Sequence, residues 1–219
     1  MQSSGRNNLE ILKHDLDALM KWRTIPHQET VDTGYLDLCR KFNARYLNYR
    51  MPLFEERKFA PFTPKVDSDK SLLLFSGGKV SLATALWLKE MGKDIELLYF
   101  YDKEYEAVLD LMGVKQLGIP YTAKYVKIPD NEFAGMHMVH YALEFALEKH
   151  LKPSIYMGYF EFALMDNNPK RNWRYSKDFI EAYANVAKKY IEGVEVLGVL
   201  PNYAVVDDIL SKYNYEAIQ

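Results

Sequence analysis

Apolar residues recur at three- and four-residue spacings through Leu9, Leu12, Leu16, Leu19 and Met20. That spacing predicts an amphipathic helix over residues 9–22. A second helix follows, with Asp32 or Thr33 as its cap and Leu36, Cys39, Phe42, Tyr46 and Leu47 among its apolar positions. The periodicity dissolves between Met51 and Asp69, where Pro52, Pro61 and Pro64 interrupt a charged stretch. Phe54, Phe59 and Phe62 give this stretch apolar anchors, so it reads as an ordered connection wrapped on the rest of the chain, not as a flexible linker.

Beyond residue 68 the pattern alternates. Ser71–Phe75 is a short continuous apolar run, as expected of a strand covered on both faces. Helical periodicity follows over 79–91, then a strand over Ile95–Tyr101, a helix over Tyr105–Leu117 and a strand over Tyr121–Ile128. Next come a helix over 135–149, a strand over Ser154–Tyr159, a helix over Ser176–Ile191, a strand over Val194–Leu200 and a last helix over Val205–Tyr213. Repeated strand–helix units predict an α/β protein with a parallel five-stranded sheet and helices on both faces. The expected division is a small N-terminal helical region and wrapping connection, 1–67, followed by the α/β domain, 68–219.

Composition changes this picture little. The 219 residues are 48% hydrophobic and carry 28 Lys and Arg against 30 Asp and Glu. That balance argues against a broad nucleic-acid-binding surface, which needs an excess of cations. Cys39 is the only cysteine, which excludes an intramolecular disulfide and a cysteine zinc site. No apolar window approaches the ~20 residues needed to cross a bilayer, and Met1–Asn8 is too polar for a signal peptide. A soluble, cytoplasmic protein without membrane partners is expected, with a homo-oligomer left open. The 17 tyrosines suit either ring packing at the core edge or stacking on a planar ligand.

The chemistry concentrates at Ser76-Gly77-Gly78-Lys79-Val80-Ser81, directly after the first buried strand. Ligands of open parallel sheets bind beyond the carboxyl ends of the strands. Two adjacent glycines let main-chain N–H groups converge into a concavity that attracts anions. The helix that starts near Lys79 adds its positive end, while Ser76, Ser81 and Lys79 add donors. The spacing is neither that of a Walker A loop nor that of a dinucleotide-binding fingerprint.

This segment resembles the S-G-G-x-D-S motif of the PP-loop ATP pyrophosphatases, and the resemblance runs from about residue 70 to 212. Within that superfamily the chain is most similar to 7-cyano-7-deazaguanine synthases. Gly158 at a strand end, the polar loop Asp166–Tyr175 and the helix segment Phe179-Ile180-Glu181-Ala182 follow the same order. The resemblance implies an adenine nucleotide alpha hydrolase-like fold, ATP and Mg²⁺ as cofactors, and cleavage of ATP between its α- and β-phosphates. It implies that Ser76, Gly77, Gly78, Lys79 and Ser81 cradle the β- and γ-phosphates, and that Tyr99, Phe100 and Tyr101 lie beside the adenine. Gly135 and His137 fall where the family has a G-R-N segment near the nucleotide. Three features depart from the pattern. Val80 replaces the motif's Asp, the segment Pro201–Ile209 lacks the lysine that the family often directs at pyrophosphate, and the four-cysteine zinc site is missing.

A basic loop could compensate. Asp166–Tyr175 includes Lys170, Arg171, Trp173 and Arg174 among turn-forming asparagines and a proline. Arg171 and Arg174 are candidates to bind phosphate oxygens bidentately, with a solvated charged loop as the alternative. His137 and His140 are three apart and share a helix face, yet partly buried helix histidines explain them better than a metal site does. Lys79, Arg171 and Arg174 are therefore the expected catalytic residues. Lys170 and Gly158 join the nucleotide-binding set, and no metal site made by protein side chains alone is expected. Three functions stand open: an ATP-dependent synthetase that adenylates a carboxylate or carbonyl oxygen of a base, nucleoside or small acid; a degenerate relative that binds a nucleotide or partner without turnover; and, more distantly, a scaffold whose N-terminal helices mediate oligomerisation.

Overall fold

Leu72, Leu73 and Leu74 lie at the centre of the molecule, buried on both sides. The structure, a computed structural model, describes residues 3–22, 29–46, 50–101, 117–158, 175–200 and 203–213. Strand β3 (Ser71–Leu74) takes the middle of a five-stranded sheet with β4 (Ile95–Tyr101) and β5 (Tyr121–Tyr125) on one side and β6 (Ser154–Met157) and β7 (Glu195–Gly198) on the other. All four pairings are parallel. The strand order β5-β4-β3-β6-β7 reverses direction at β3, so a crevice opens between the carboxyl ends of β3 and β6.

Alternate residues of the central strands β3, β4 and β6 supply two cores, as the two-residue period of a strand requires. Leu73, Phe75, Leu97 and Tyr99 pack with α3 (Lys79–Glu90) and with α6 (Tyr203–Lys212). Leu72, Leu74, Leu98, Ile155 and Met157 pack on the opposite face with α4 (Ala134–Glu148) and α5 (Lys177–Tyr190). That second core also takes in α1 (Ser3–Trp22) and α2 (Leu36–Tyr46), through Leu12, Leu16, Leu19, Cys39 and Phe42. Phe42 lies 6.0 Å from Phe133, stacked, and 6.3 Å edge-on from Phe179. The fold is thus an α/β parallel sheet covered by helices on both faces, with the N-terminal helices added to one face.

Helix α1 begins six residues before the apolar periodicity does. Its polar first turns are held from outside. The Asn8 amide donates to the Tyr190 carbonyl at 2.7 Å, and the Phe62 ring lies where a side chain on Gly5 would otherwise project. The proline-rich connection is ordered. It contributes β2 (Leu53–Glu55), which pairs in parallel with β1 (Thr30–Asp32), a small sheet that three-residue strands leave invisible to periodicity. Further on, Phe62 bridges to Ile191 and Ser68 to Leu151. Phe54 packs on the core, whereas Phe59 stays 44% exposed with its ring 5.2 Å from that of Tyr190. Asp32 caps not the α-helix but the 3-10 turn Thr33–Tyr35 ahead of it, its carboxylate accepting from the Gly34 N–H.

Strand β5 stops at Tyr125, paired with Tyr101 of β4, three residues short of the expected Ile128. Most of the helix expected over Tyr105–Leu117 lies outside the described residues, and so does the basic loop up to Arg174. Among the described residues, no helix is long and apolar enough to cross a membrane.

Candidate functional site

The turn after β3 is tight because two of its residues are glycine. Gly77 has φ of 78°, a conformation that a side chain would strain. Gly78 stands at the N-cap of α3 with extended backbone (φ −76°, ψ 163°) and offers no side chain to the helix's first N–H groups. A Cβ at Gly78 would meet only Ser76 Oγ, at 3.5 Å, so the space over the turn is open. The two serines brace the turn from within. Ser81 Oγ donates to the Gly78 carbonyl at 2.8 Å and accepts the Ser76 N–H at 3.3 Å, with the two hydroxyls 3.2 Å apart. Ser81 is buried, so its hydroxyl shapes the turn, while Ser76 and Lys79 remain exposed.

Two neighbouring strands complete the crevice. Gly158 follows β6, and a Cβ there would come within 3.0 Å of Thr84 Oγ1 and 3.1 Å of Val80 Cγ1. The missing side chain therefore lets the end of β6 close on the first turns of α3. On the other side β4 outruns β3. Their pairing stops at Leu74 and Leu98, with the Phe75 N–H donating to the Leu98 carbonyl. Odd-numbered residues of β4 turn their main-chain groups to β5, as the Leu97 N–H to Pro120 and the Tyr101 carbonyl to Val126 show. The N–H and carbonyl of Phe100 consequently point to the β3 side, beyond the residue at which β3 has turned away. The rings sort the other way. Tyr99 and Tyr101 stack over the α3 face with 6.4 Å between centroids, and Phe100 meets Tyr141 edge-on at 6.3 Å on the opposite face.

Val80 occupies the position where the resembled motif has Asp. Its side chain lies against Gly158 and packs with the α3-side core, and its carbonyl accepts the Thr84 hydroxyl at 2.7 Å. The first turn of α3 holds no acidic residue. Lys79 leans to α6, with Nζ 5.4 Å from the centre of the Tyr203 ring and 3.6 Å from Asp207 Oδ1.

The structure thus brings Ser76, Gly77, Gly78, Lys79, Ser81, the Phe100 main chain and Gly158 to one crevice. Two further expected residues lie in α4. Gly135 is buried in the first turn of α4. His137 is fully buried two residues on and faces α1, with Nδ1 3.0 Å from the Phe133 carbonyl and Nε2 3.5 Å from Asp17. Burial holds the His137 pKa below its ordinary value, and it outweighs the Asp17 carboxylate, so this contact is not an ion pair at neutral pH. His140 bonds Tyr183 Oη at 2.9 Å and Glu144 at 3.2 Å. Among the described residues, no group of three or more His, Cys, Asp or Glu is arranged to hold a metal ion. Lys170, Arg171 and Arg174 lie outside the described residues. Sequence reasoning missed Asp207, although it sits four residues after Tyr203, the spacing that puts both on one helix face.

No family model matches the chain, and no curated protein matches it. Among solved structures, the chain is similar to a predicted subunit of a tRNA methyltransferase from Methanocaldococcus jannaschii, at 18% identity over 65% of this chain and 74% of that one, with a TM-score of 0.41. It is also similar to a ketoreductase domain from the bacillaene assembly line, at 12% identity over 96% and 71% of the two chains and a TM-score of 0.30. With TM-scores this low, neither likeness carries weight for activity or substrate. What the chain's own geometry defines is an α/β fold with an open glycine turn at the point where its strand order reverses.

Proposed function

We propose that the chain binds ATP in the crevice above β3 and β6 and uses it as an adenylating synthetase of the PP-loop kind. One observation carries this reading. The glycine turn opens α3 where the strand order reverses, with Gly158 closed against the helix's first turns. Main-chain N–H groups of the turn, the positive end of α3 and the Lys79 ammonium suit the β- and γ-phosphates. The Phe100 main chain offers one donor and one acceptor to a base edge, the pattern an adenine requires. Tyr99 and Tyr101 flank it.

In the reaction, a carboxylate or carbonyl oxygen of a small acceptor attacks the α-phosphorus. The bond from that phosphorus to the bridging oxygen breaks, and pyrophosphate leaves with the bonding pair. A nitrogen or sulfur nucleophile then displaces AMP. The protein's part is positioning and charge stabilisation. Lys79, Arg171 and Arg174 meet the charge that grows on departing pyrophosphate, and Lys170 assists nucleotide binding. A Mg²⁺ that arrives with the nucleotide would supply screening of the phosphates, held by them and by one or two protein carboxylates.

Incubation with ATP, Mg²⁺ and candidate acids tests the proposal: AMP and pyrophosphate are expected, and formation of ADP contradicts it. In the same assay, Arg171→Ala and Arg174→Ala lower AMP formation at least tenfold, about 1.4 kcal/mol of barrier. A second reading, nucleotide binding without turnover, is favoured by Val80, whose apolar side chain lies against Gly158 where the motif carries an acid. Loss of one charge-stabilising contact costs roughly 10²–10³ in rate. Under that reading ATP raises the melting temperature but yields no AMP with any acceptor.

A further inference from the structure

Helix α6 follows β7 and lies beside α3 on the same face of the sheet. Tyr203 and Asp207 stand four residues apart on it, and both reach Lys79, the first residue of α3. The Tyr203 ring and the Asp207 carboxylate therefore flank the one ammonium that the glycine turn carries. Both partners of the ion pair are solvent-accessible, Lys79 at 50% and Asp207 at 65%. An exposed pair of this kind contributes little to folding, so its position at the mouth of the crevice matters more than its stability. Asp208, the next residue, turns the other way and pairs with Lys212 at 3.5 Å.

A polyphosphate seated on the turn draws Lys79 to itself. Asp207 is then left facing negative charge, which is repulsive unless a cation lies between them. Hard divalent cations bind in that way, bridging ligand phosphates to one or two carboxylates. The turn provides no carboxylate of its own, since Val80 packs on Gly158. We infer that Asp207, presented by α6, is the carboxylate that makes this site take a nucleotide with a divalent cation and disfavour the metal-free nucleotide. The inference rests on the nucleotide-binding reading above. It assigns to a helix near the C-terminus a charge that the motif would place in the loop.

Binding of ATP is measured by calorimetry with Mg²⁺ and with EDTA, for the parent chain, Asp207→Asn and the control Asp208→Asn. In the parent, Mg²⁺ tightens binding by about tenfold or more. In Asp207→Asn the ratio of the two affinities shrinks by about tenfold, because metal-free ATP binds better and Mg²⁺ adds less. Asp208→Asn removes the same charge from the same helix and leaves the ratio at the parent value. An unchanged ratio in Asp207→Asn, or an equal fall in both variants, overturns the role of Asp207 while ATP binding itself stands. If the parent binds ATP in neither condition, the nucleotide reading fails and this inference with it. Asp207 is exposed, and the circular dichroism melt of each variant is expected to match the parent's.

Discussion

At the scale of single residues, Gly78 separates charge from shape at the crevice. Its φ of −76° suits any residue, and a Cβ there would touch only Ser76 Oγ at 3.5 Å. Aspartate is also a better N-cap than glycine, by a few tenths of a kcal/mol. Gly78→Asp is therefore expected to melt at or slightly above the parent temperature while losing the stabilisation that MgATP gives the parent by mass action. Thermal melts with and without MgATP check this; a retained shift would place the phosphates elsewhere. His137 bears on pH. Burial lowers its pKa from 6.5, so the unfolded chain binds a proton that the folded chain resists. The stability from neutral, buried His137 is complete above pH 6.5 and declines as pH falls through that value to the lowered one. In melts from pH 7.5 to pH 5, the margin of the parent over His137→Gln should narrow. A margin that stays constant would mean the ring does not titrate in that window.

At the scale of elements, the N-terminal region is fastened by a buried ionic network. Asp15 of α1 is fully buried and accepts Arg57 Nη1 at 2.5 Å and the Asp32 N–H at 3.1 Å. Arg57 also donates to the Thr30 carbonyl at 2.7 Å, so one guanidinium ties α1, β1 and the segment after β2. Asp32, buried as well, accepts Lys189 Nζ at 2.9 Å and lies 3.4 Å from Tyr190 Oη, which joins β1 to α5. Burial holds the Asp15 carboxyl above its usual range despite Arg57, which marks how costly its charge is there. Removing one partner of a buried pair costs roughly 3–5 kcal/mol. Arg57→Met should therefore destabilise by about that amount near neutral pH. The loss should be smaller at pH 5, where the unpaired Asp15 takes up a proton more readily in the folded than in the unfolded state. Urea unfolding at pH 8 and pH 5 measures both. Equal losses at the two values would show that the charge of Asp15 is not what Arg57 offsets.

At the scale of the whole molecule, one hydrophobic core joins the N-terminal helices to the sheet. Phe42 of α2 packs on Phe133 and Phe179, and Leu12, Leu16 and Leu19 belong to the same cluster as Met136 and Tyr183. Without residues 1–67, the outer faces of α4 and α5 would be left in water with that apolar surface exposed, the kind of patch that promotes association. A chain limited to 68–219 is expected to lack a cooperative thermal transition and to aggregate. A soluble truncated protein with a sharp melt would show that the sheet and its own helices suffice. The candidate site lies at the carboxyl edge of the sheet and involves none of the residues of that network. Its residues come from β3, α3, β4, the end of β6 and α6.

The order of the described strands and helices after residue 68 was legible in the chain because the central strands are short apolar runs and the helices have apolar stripes. These are local signals, with periods of two and 3.6 residues. The glycine turn was legible for the same reason, since Gly77 and Gly78 act on their own backbone. What the sequence could not specify was anything made by residues distant along the chain. The parallel pairing of Thr30–Asp32 with Leu53–Glu55 rests on two strands too short to show a period. The beginning of α1 at Ser3 depends on Phe62 and Tyr190. His137, whose position suggested a nucleotide contact, faces Asp17 of α1 because α1 and α4 pack together on that face. The same physics governs the crevice. Val80 reads as a missing acid in sequence, but only tertiary packing puts Gly158 against Val80 and brings Asp207 to within 3.6 Å of Lys79. Local propensity fixes where a turn or a helix forms; the burial of faces against one another decides which side chains then meet.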